Sequence, residues 1–183
     1  SSEALSRIQN LIDAHLDLIR PGTLLQVYGC GVLLQGESGV GKSETALMLL
    51  ERGHSLVSDD AVRIRAQPGG KLLGSGPGPL HGHLALHGLG LLKVSQLFGP
   101  AAIASGAIIQ LVVALTAKMI PADPLLGSWA AYGWLGRTLP RLTLSNLRPR
   151  ALLIETAVRL VQARTARGDF TLPSYEEQAQ ELL

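Results

Sequence analysis

Apolar residues recur at helical spacing from the start of the chain. Leu5, Ile8, Ile12, Leu16 and Ile19 mark one face of an amphipathic helix over residues 3–19, which Pro21-Gly22 ends. The pattern then changes to two short β-rich runs, LLQVY and GVLLQ, split by Gly29-Cys30-Gly31, which predicts a pair of neighbouring strands. The second run leads directly into GESGVGKS, residues 36–43, and a helix over ETALMLLER follows, with Gly53 placed to cap its C-terminus. HSLVS is a strand that ends at Asp59. AVRIR and KLL, separated by the turn signal QPGGK, form a hairpin.

Beyond this point the pattern is less regular. GSGPGPL, residues 74–80, is a loop, and LLKVSQLFG reads as a short helix. IIQLVVAL, residues 108–115, is a buried strand. Residues 116–140 carry Pro121, Pro124, Pro140 and several glycines, so they read as a long connection. RLTLS is a further strand. ALLIETAVRLVQARTARG has a helical stripe through Leu153, Ala157, Leu160 and Val161, and Ser174 with Glu177 is spaced as a capping box for a last helix. Strands alternating with helices, without internal repeats, predict an α/β domain over residues 20–170. A linker helix (1–19) precedes it and a C-terminal helix (171–183) follows.

Composition narrows the picture. The 183 residues, 46% of them hydrophobic and 16% charged, suffice for one hydrophobic core and exclude a disordered chain. A net charge of +2 with no run of Lys or Arg leaves no electrostatic footprint for nucleic acid. The lone Cys30 cannot form an internal disulfide and reads as a buried bystander, which fits a reducing, cytoplasmic setting. No signal peptide opens the chain, because Glu3, Asp13 and Asp17 interrupt residues 1–20. Residues 101–120 have the length and apolarity of a membrane span, but Gly106, Gln110 and Lys118 within them favour a buried strand and no membrane.

The chemistry is concentrated in GESGVGKSETALMLLERGHSLVSDD. Gly36, Gly41, Lys42 and Ser43 satisfy the phosphate-binding pattern of two glycines, Lys and Ser. Such a loop must wrap phosphates with inward-pointing N–H groups, and glycines allow the close approach and the dihedrals this requires. The next helix aims its positive end at the same place. Gly36, Glu37, Ser38, Gly39, Val40, Gly41, Lys42, Ser43 and Glu44 are therefore the candidate nucleotide-binding residues, with Lys42 reaching the β- and γ-phosphates and Ser43 holding magnesium. Asp59 and Asp60 end the next strand. One carboxylate suits a metal ion or its water, and the neighbour suits accepting a proton from an attacking hydroxyl. On their own the two would read as the start of a turn; the cradle upstream favours chemistry.

His81, His83 and His87 lie close together in HGHLALH. Gly82 makes a helix doubtful there, and no cysteine or carboxylate accompanies them, so they do not read as a metal site. His54 reads as a partly exposed structural residue. Trp129 and Trp134 fall in the long connection and read as pocket fillers.

The order of motifs resembles a known family. VYGCGVLLQGESGVGKSETALMLLERGHSLVSDDAV is similar to the C-terminal catalytic domain of the bacterial HPr kinase/phosphorylases. The resemblance continues through HGLGLLKVSQLFG, the IIQLVVAL strand and ALLIETAVRL, covering nearly all of residues 20–170. It implies a P-loop core related to the nucleotide-binding domain of phosphoenolpyruvate carboxykinase, usually assembled as a homohexamer. It also implies an enzyme that uses ATP and magnesium to phosphorylate a serine of the phosphocarrier protein HPr. In the implied reverse reaction, inorganic phosphate attacks the phosphoserine, pyrophosphate is released and the serine is regenerated. Carried over by position, Asp59 is the general base, Ser43 and Asp60 lie near magnesium, and Gly36 to Ser43 bind the phosphates.

Several positions depart from that pattern. Pro21 stands where the family usually has a histidine, Ala85 where a carboxylate is expected near magnesium, and Trp134 where an arginine is expected to handle phosphate. Leu147-Arg148-Pro149 is an imperfect version of the family's Gly-Arg-Asn. Groups that grip the nucleotide remain, whereas groups that stabilise transferring charge are gone. Two readings follow: an HPr kinase/phosphorylase with the kinase direction favoured, or a catalytically weakened nucleotide-binding regulatory protein of the same fold.

Overall fold

The computed structural model describes residues 1–15, 17–119, 128–146 and 148–168. Their elements are α1 (Ser2–His15), β1 (Asp17–Pro21), β2 (Thr23–Val27), β3 (Cys30–Gln35), α2 (Lys42–Glu51), β4 (Ser55–Ser58), β5 (Ala61–Gln67) and β6 (Lys71–Ser75). There follow β7 (His83–Leu86), β8 (Gly90–Lys93), α3 (Val94–Phe98), β9 (Gly106–Thr116), β10 (Trp129–Trp134), β11 (Arg137–Ser145) and α4 (Arg150–Ala166). The expected α/β fold is present: a mixed sheet with the order β1-β5-β6-β9-β3-β2-β4, extended by β11 and β10, with helices against it. β7 and β8 form a separate two-stranded hairpin.

The core divides along the pleat. Val32 and Leu34 of β3, with Leu111 and Val113 of β9, face one way and pack with Ala46, Leu49 and Leu50 of α2 and Ile154 and Val158 of α4. Their neighbours Leu33 and Val112 face the other way and join Leu24, Val62, Ile64, Leu72 and Trp134. Period-two alternation in a strand buried on both faces produces this division.

Topology gathers one end of the sheet. β3 runs parallel to β9, and β9 parallel to β11. β2 is antiparallel to both β3 and β4, so β4 runs in the direction of β3. The loop leaving β3, the end of β4, the end of β11 and the start of β2 therefore lie at the same edge. Ligand sites of open α/β sheets form at such carboxyl ends.

Three expectations need correction. The helix expected over 3–19 stops at His15, and Asp17–Pro21 is an edge strand antiparallel to β5, with Leu18 opposite Ile64 and Arg20 opposite Val62. Asp17 also pairs with Arg63 at 3.6 Å and Arg65 at 3.2 Å, contacts that the extended form permits. The long connection is partly ordered: β10 and β11 form a hairpin through Leu135 and Gly136, at φ 48° and 73°. Positive φ at both central residues is the turn that suits the twist of a tight hairpin. Pro140 lies within β11. The short helix expected from residue 91 begins only at Val94, because Gly90–Lys93 pairs with β7. Residues 106–116 of the span-like segment form β9, and among the described residues no helix is long and apolar enough to cross a membrane. The capping box at Ser174 and Glu177 lies outside the described residues.

Candidate functional site

The loop between β3 and α2 is shaped by its glycines. Gly36 has φ 149°, and a Cβ there would meet the Leu115 carbonyl oxygen at 2.6 Å, so no side chain fits between the loop and the end of β9. Gly41, at φ 98°, is the N-cap of α2 and offers no capping side chain. The backbone N–H groups of Lys42, Ser43 and Glu44 in the first turn thus have no partner within the helix. They and the helix dipole create a local positive site. Thr45, the next residue, turns its hydroxyl inward and donates to the Gly41 carbonyl at 2.6 Å. Lys42 Nζ donates to the carbonyls of Gly36 (2.9 Å) and Glu37 (3.0 Å), which holds its charge over the loop.

Asp59 is the best-connected acid at this edge. Its Oδ1 accepts a 2.8 Å bond from the hydroxyl of Thr23, which is fully buried at the start of β2. Its Oδ2 accepts from the Ala85 amide at 3.1 Å and from Ser43 Oγ at 3.4 Å. Burial raises its pKa above the usual 3.8, more than the bonds from Thr23 and Ala85 lower it, and the charge of Asp60 adds to the rise. The result is a carboxylate of increased basicity beside the loop. Asp60 occupies the turn between β4 and β5 at φ 65°, where its carbonyl accepts from Gly22 N at 3.0 Å.

Asp59, Lys42, Ser43 and the 36–44 loop are therefore assembled at one edge, with Asp60 adjacent to them in the chain. Asp59, rather than Asp60, makes the hydrogen bond to Ser43. Hydroxyl and carboxylate oxygens are the donors that magnesium prefers, and an uncapped helix start with Lys42 suits a polyphosphate, so these residues fit both groups.

The departing positions occupy different places. Ala85 turns its side chain to solvent on β7 while its amide serves Asp59. Pro21 pairs with Ala61, just beyond Asp60. Trp134 is only 8% exposed and packs in the second cluster, on the face opposite α2, edge-to-face with Tyr132. Trp129 packs against the first cluster. Cys30 is buried with its pKa pushed up to about 12, as a bystander thiol would be. His83 lies on β7, and His81 and His87 lie in the turns flanking that strand.

Some functional groups were not legible from residue type. Thr23 sits in an apolar run, the Ala85 contribution is a backbone amide, and Arg150 opens a helix whose pattern signals only packing. Arg150 crosses from α4 to the loop and donates from Nη1 to the Val40 carbonyl at 2.7 Å. His54 is also buried, against the expectation of partial exposure, because its Nε2 donates to Glu155 Oε1 at 2.8 Å.

Comparison with known proteins agrees with this fold. The family model described as the HPr serine kinase C-terminal domain matches residues 16–173. A protein of Caldanaerobacter subterraneus subsp. tengcongensis named HPr kinase/phosphorylase is 44% identical over 117 residues, covering 63% of this chain and 38% of that protein. A Treponema pallidum protein of the same name is 50% identical over 95 residues, covering 51% of this chain and 30% of that protein. The chain thus matches well under half the length of these relatives. The solved structure of the HPr(Ser) kinase/phosphatase from Coxiella burnetii superimposes with a TM-score of 0.74 at 31% identity, covering 81% of this chain and 93% of that one.

Proposed function

The chain belongs to the HPr serine kinase C-terminal domain family, matched over residues 16–173, and from that premise we propose that it is an ATP- and magnesium-dependent kinase acting on a serine of HPr or an HPr-like protein. The observation that carries this reading is the contact between Asp59 and Ser43 beside the uncapped start of α2. It supports the reading because a carboxylate of raised basicity lies beside the residues proposed to hold the phosphates.

The uncapped amides of α2 and Lys42 bind the phosphates, and Ser43 with Asp60 would hold the metal. When bound there, magnesium would supply neutralisation of phosphate charge. Asp59 takes the proton of the attacking serine hydroxyl as the serine O–P bond forms and the bond from the γ-phosphorus to the β-phosphate breaks, releasing ADP. Its increased basicity assists this step, and Thr23 and the Ala85 amide hold it in orientation. Lys42 steadies the charge on the departing diphosphate. In the phosphorylase direction, inorganic phosphate would take the phosphoryl group as the serine O–P bond breaks, giving pyrophosphate, and protonated Asp59 returns its proton to the serine oxygen.

The kinase direction is favoured because the position expected to carry a phosphate-handling arginine holds Trp134, enclosed in the core. A hexameric assembly and a cytoplasmic setting belong to the same proposal. The second reading, a weakened nucleotide-binding regulator, draws on Pro21, Ala85 and Trp134 together.

The test is transfer of labelled γ-phosphate from ATP·Mg to purified HPr by this chain and by Asp59→Asn. We expect labelled HPr with the parent chain and a loss of at least a hundredfold in the variant. Tight ATP binding by both forms without label would refute the kinase and favour the regulator.

A further inference from the structure

Arg150 is held in a costly position. It is 7% exposed, and burial lowers its pKa below the usual arginine range. As the first residue of α4 it places a cation at the positive end of a helix, where the dipole opposes it. Its Nη2 is buried without a hydrogen-bond partner among the described residues, and an unsatisfied buried donor is destabilising. An apolar side chain would avoid all three costs. What the arginine gains is the 2.7 Å bond from Nη1 to the Val40 carbonyl, a long 3.4 Å bond from Nε to the Ser145 carbonyl, and the nearby charge of Glu44.

The Val40 bond falls on the central peptide of the phosphate loop. In a trans peptide the C=O and N–H point in opposite directions. Holding the Val40 oxygen toward α4 therefore turns the Gly41 N–H away from α4. The close fit is reciprocal, since a Cβ at Gly41 would lie 2.6 Å from Arg150 Nη1. We infer that Arg150 is a positioning residue of the phosphate cradle: from α4 it clamps the Val40–Gly41 peptide so that the Gly41 N–H is presented to a bound phosphate. Ser145 and Arg150 flank the β11–α4 junction, so the same side chain ties the end of the sheet to the loop. Because Nη2 is enclosed, Arg150 acts through the backbone and does not itself contact the ligand.

This inference rests on the proposed nucleotide site, and its test separates the two. Arg150→Met removes the donor, Arg150→Lys keeps the charge with a single-point donor, and Ile154→Val softens the same helix without touching the loop. For each variant of the 183-residue chain, the Kd for ATP·Mg would be measured by calorimetry. Backbone 15N order parameters for residues 37–43 would be measured without nucleotide. Arg150→Met should weaken ATP·Mg at least tenfold and lower the order parameters at Val40 and Gly41. Arg150→Lys should fall between parent and Met on both readouts, and Ile154→Val should match the parent.

Unchanged loop order in Arg150→Met would overturn the clamp, including the case where affinity falls with Met and returns fully with Lys, which would reflect charge alone. Equal losses in Ile154→Val would overturn it too. If the parent chain does not bind ATP·Mg, the nucleotide reading fails, and loop order alone decides the clamp. If Arg150→Met does not fold, the Lys variant carries the comparison.

Discussion

At the scale of single residues, Asp59 shows how surroundings raise the basicity of an ordinary side chain. Burial pushes its pKa up, and the hydroxyl of Thr23 pulls it part of the way back. Thr23→Val removes that pull while keeping the shape, so the acid limb of the pH–rate profile for phosphoryl transfer should move to higher pH. An unmoved limb would show that Asp59 is not the titrating base. The same shift carries a stability consequence of fixed sign. A carboxylate whose pKa is raised on folding contributes stability below its unfolded value of about 3.8, and that contribution is lost as pH rises through the folded value. The Asp-Asp pair was legible as a candidate from its place after a strand and the glycine-rich loop, and the structure brings Asp59 to that loop. Its supporting groups were not, because a buried threonine and a backbone amide carry no distinctive sequence signal.

At the scale of elements, α2 and α4 are joined by a second charged cluster. Glu155 accepts from Arg52 at 2.8 and 2.6 Å and from His54 at 2.8 Å. The Arg52 guanidinium, more than any other neighbour, holds the Glu155 carboxyl down at about 2 instead of the usual 4.5. Here the sign is opposite to that of Asp59: the stability is present above pH 4.5 and is lost as pH falls toward 2. Glu155→Gln should cost about 2 kcal/mol at neutral pH, a fall in Tm of roughly 4–8 °C for a domain of this size. It should also flatten the acid side of the stability curve, so thermal melts between pH 2 and 7 check both statements. Tyr28 adds to the same corner, packing edge-to-face on His54 and lying under Arg159. The first helix and α4 were legible from apolar spacing. Their ends were less so: the first helix gave way to a strand at Asp17 because β5 offered an edge to pair with.

At the scale of the whole molecule, Trp134 tests how far resemblance can be read as function. Restoring the expected arginine there should not restore phosphate handling, because the position lies in the core on the face of the sheet opposite α2 and α4. Trp134→Arg should instead destabilise the fold by roughly 3–5 kcal/mol, the cost of an uncompensated buried charge, seen as a lowered urea midpoint with no gain in dephosphorylation of phosphoserine-HPr. A stable variant with increased dephosphorylation would refute this placement. By itself the sequence determined the α/β class and marked the loop 36–44 and the Asp59–Asp60 pair as candidates, because these depend on local spacing, glycine dihedrals and the period of apolar residues. Tertiary structure alone decided that the ends of β3, β4 and β11 share one edge. It alone decided that Thr23 and the Ala85 amide reach Asp59, and that Arg150 reaches a loop 110 residues away in the chain. Those contacts arise from strand direction and sheet order, which are set by long-range pairing and leave no trace in local sequence.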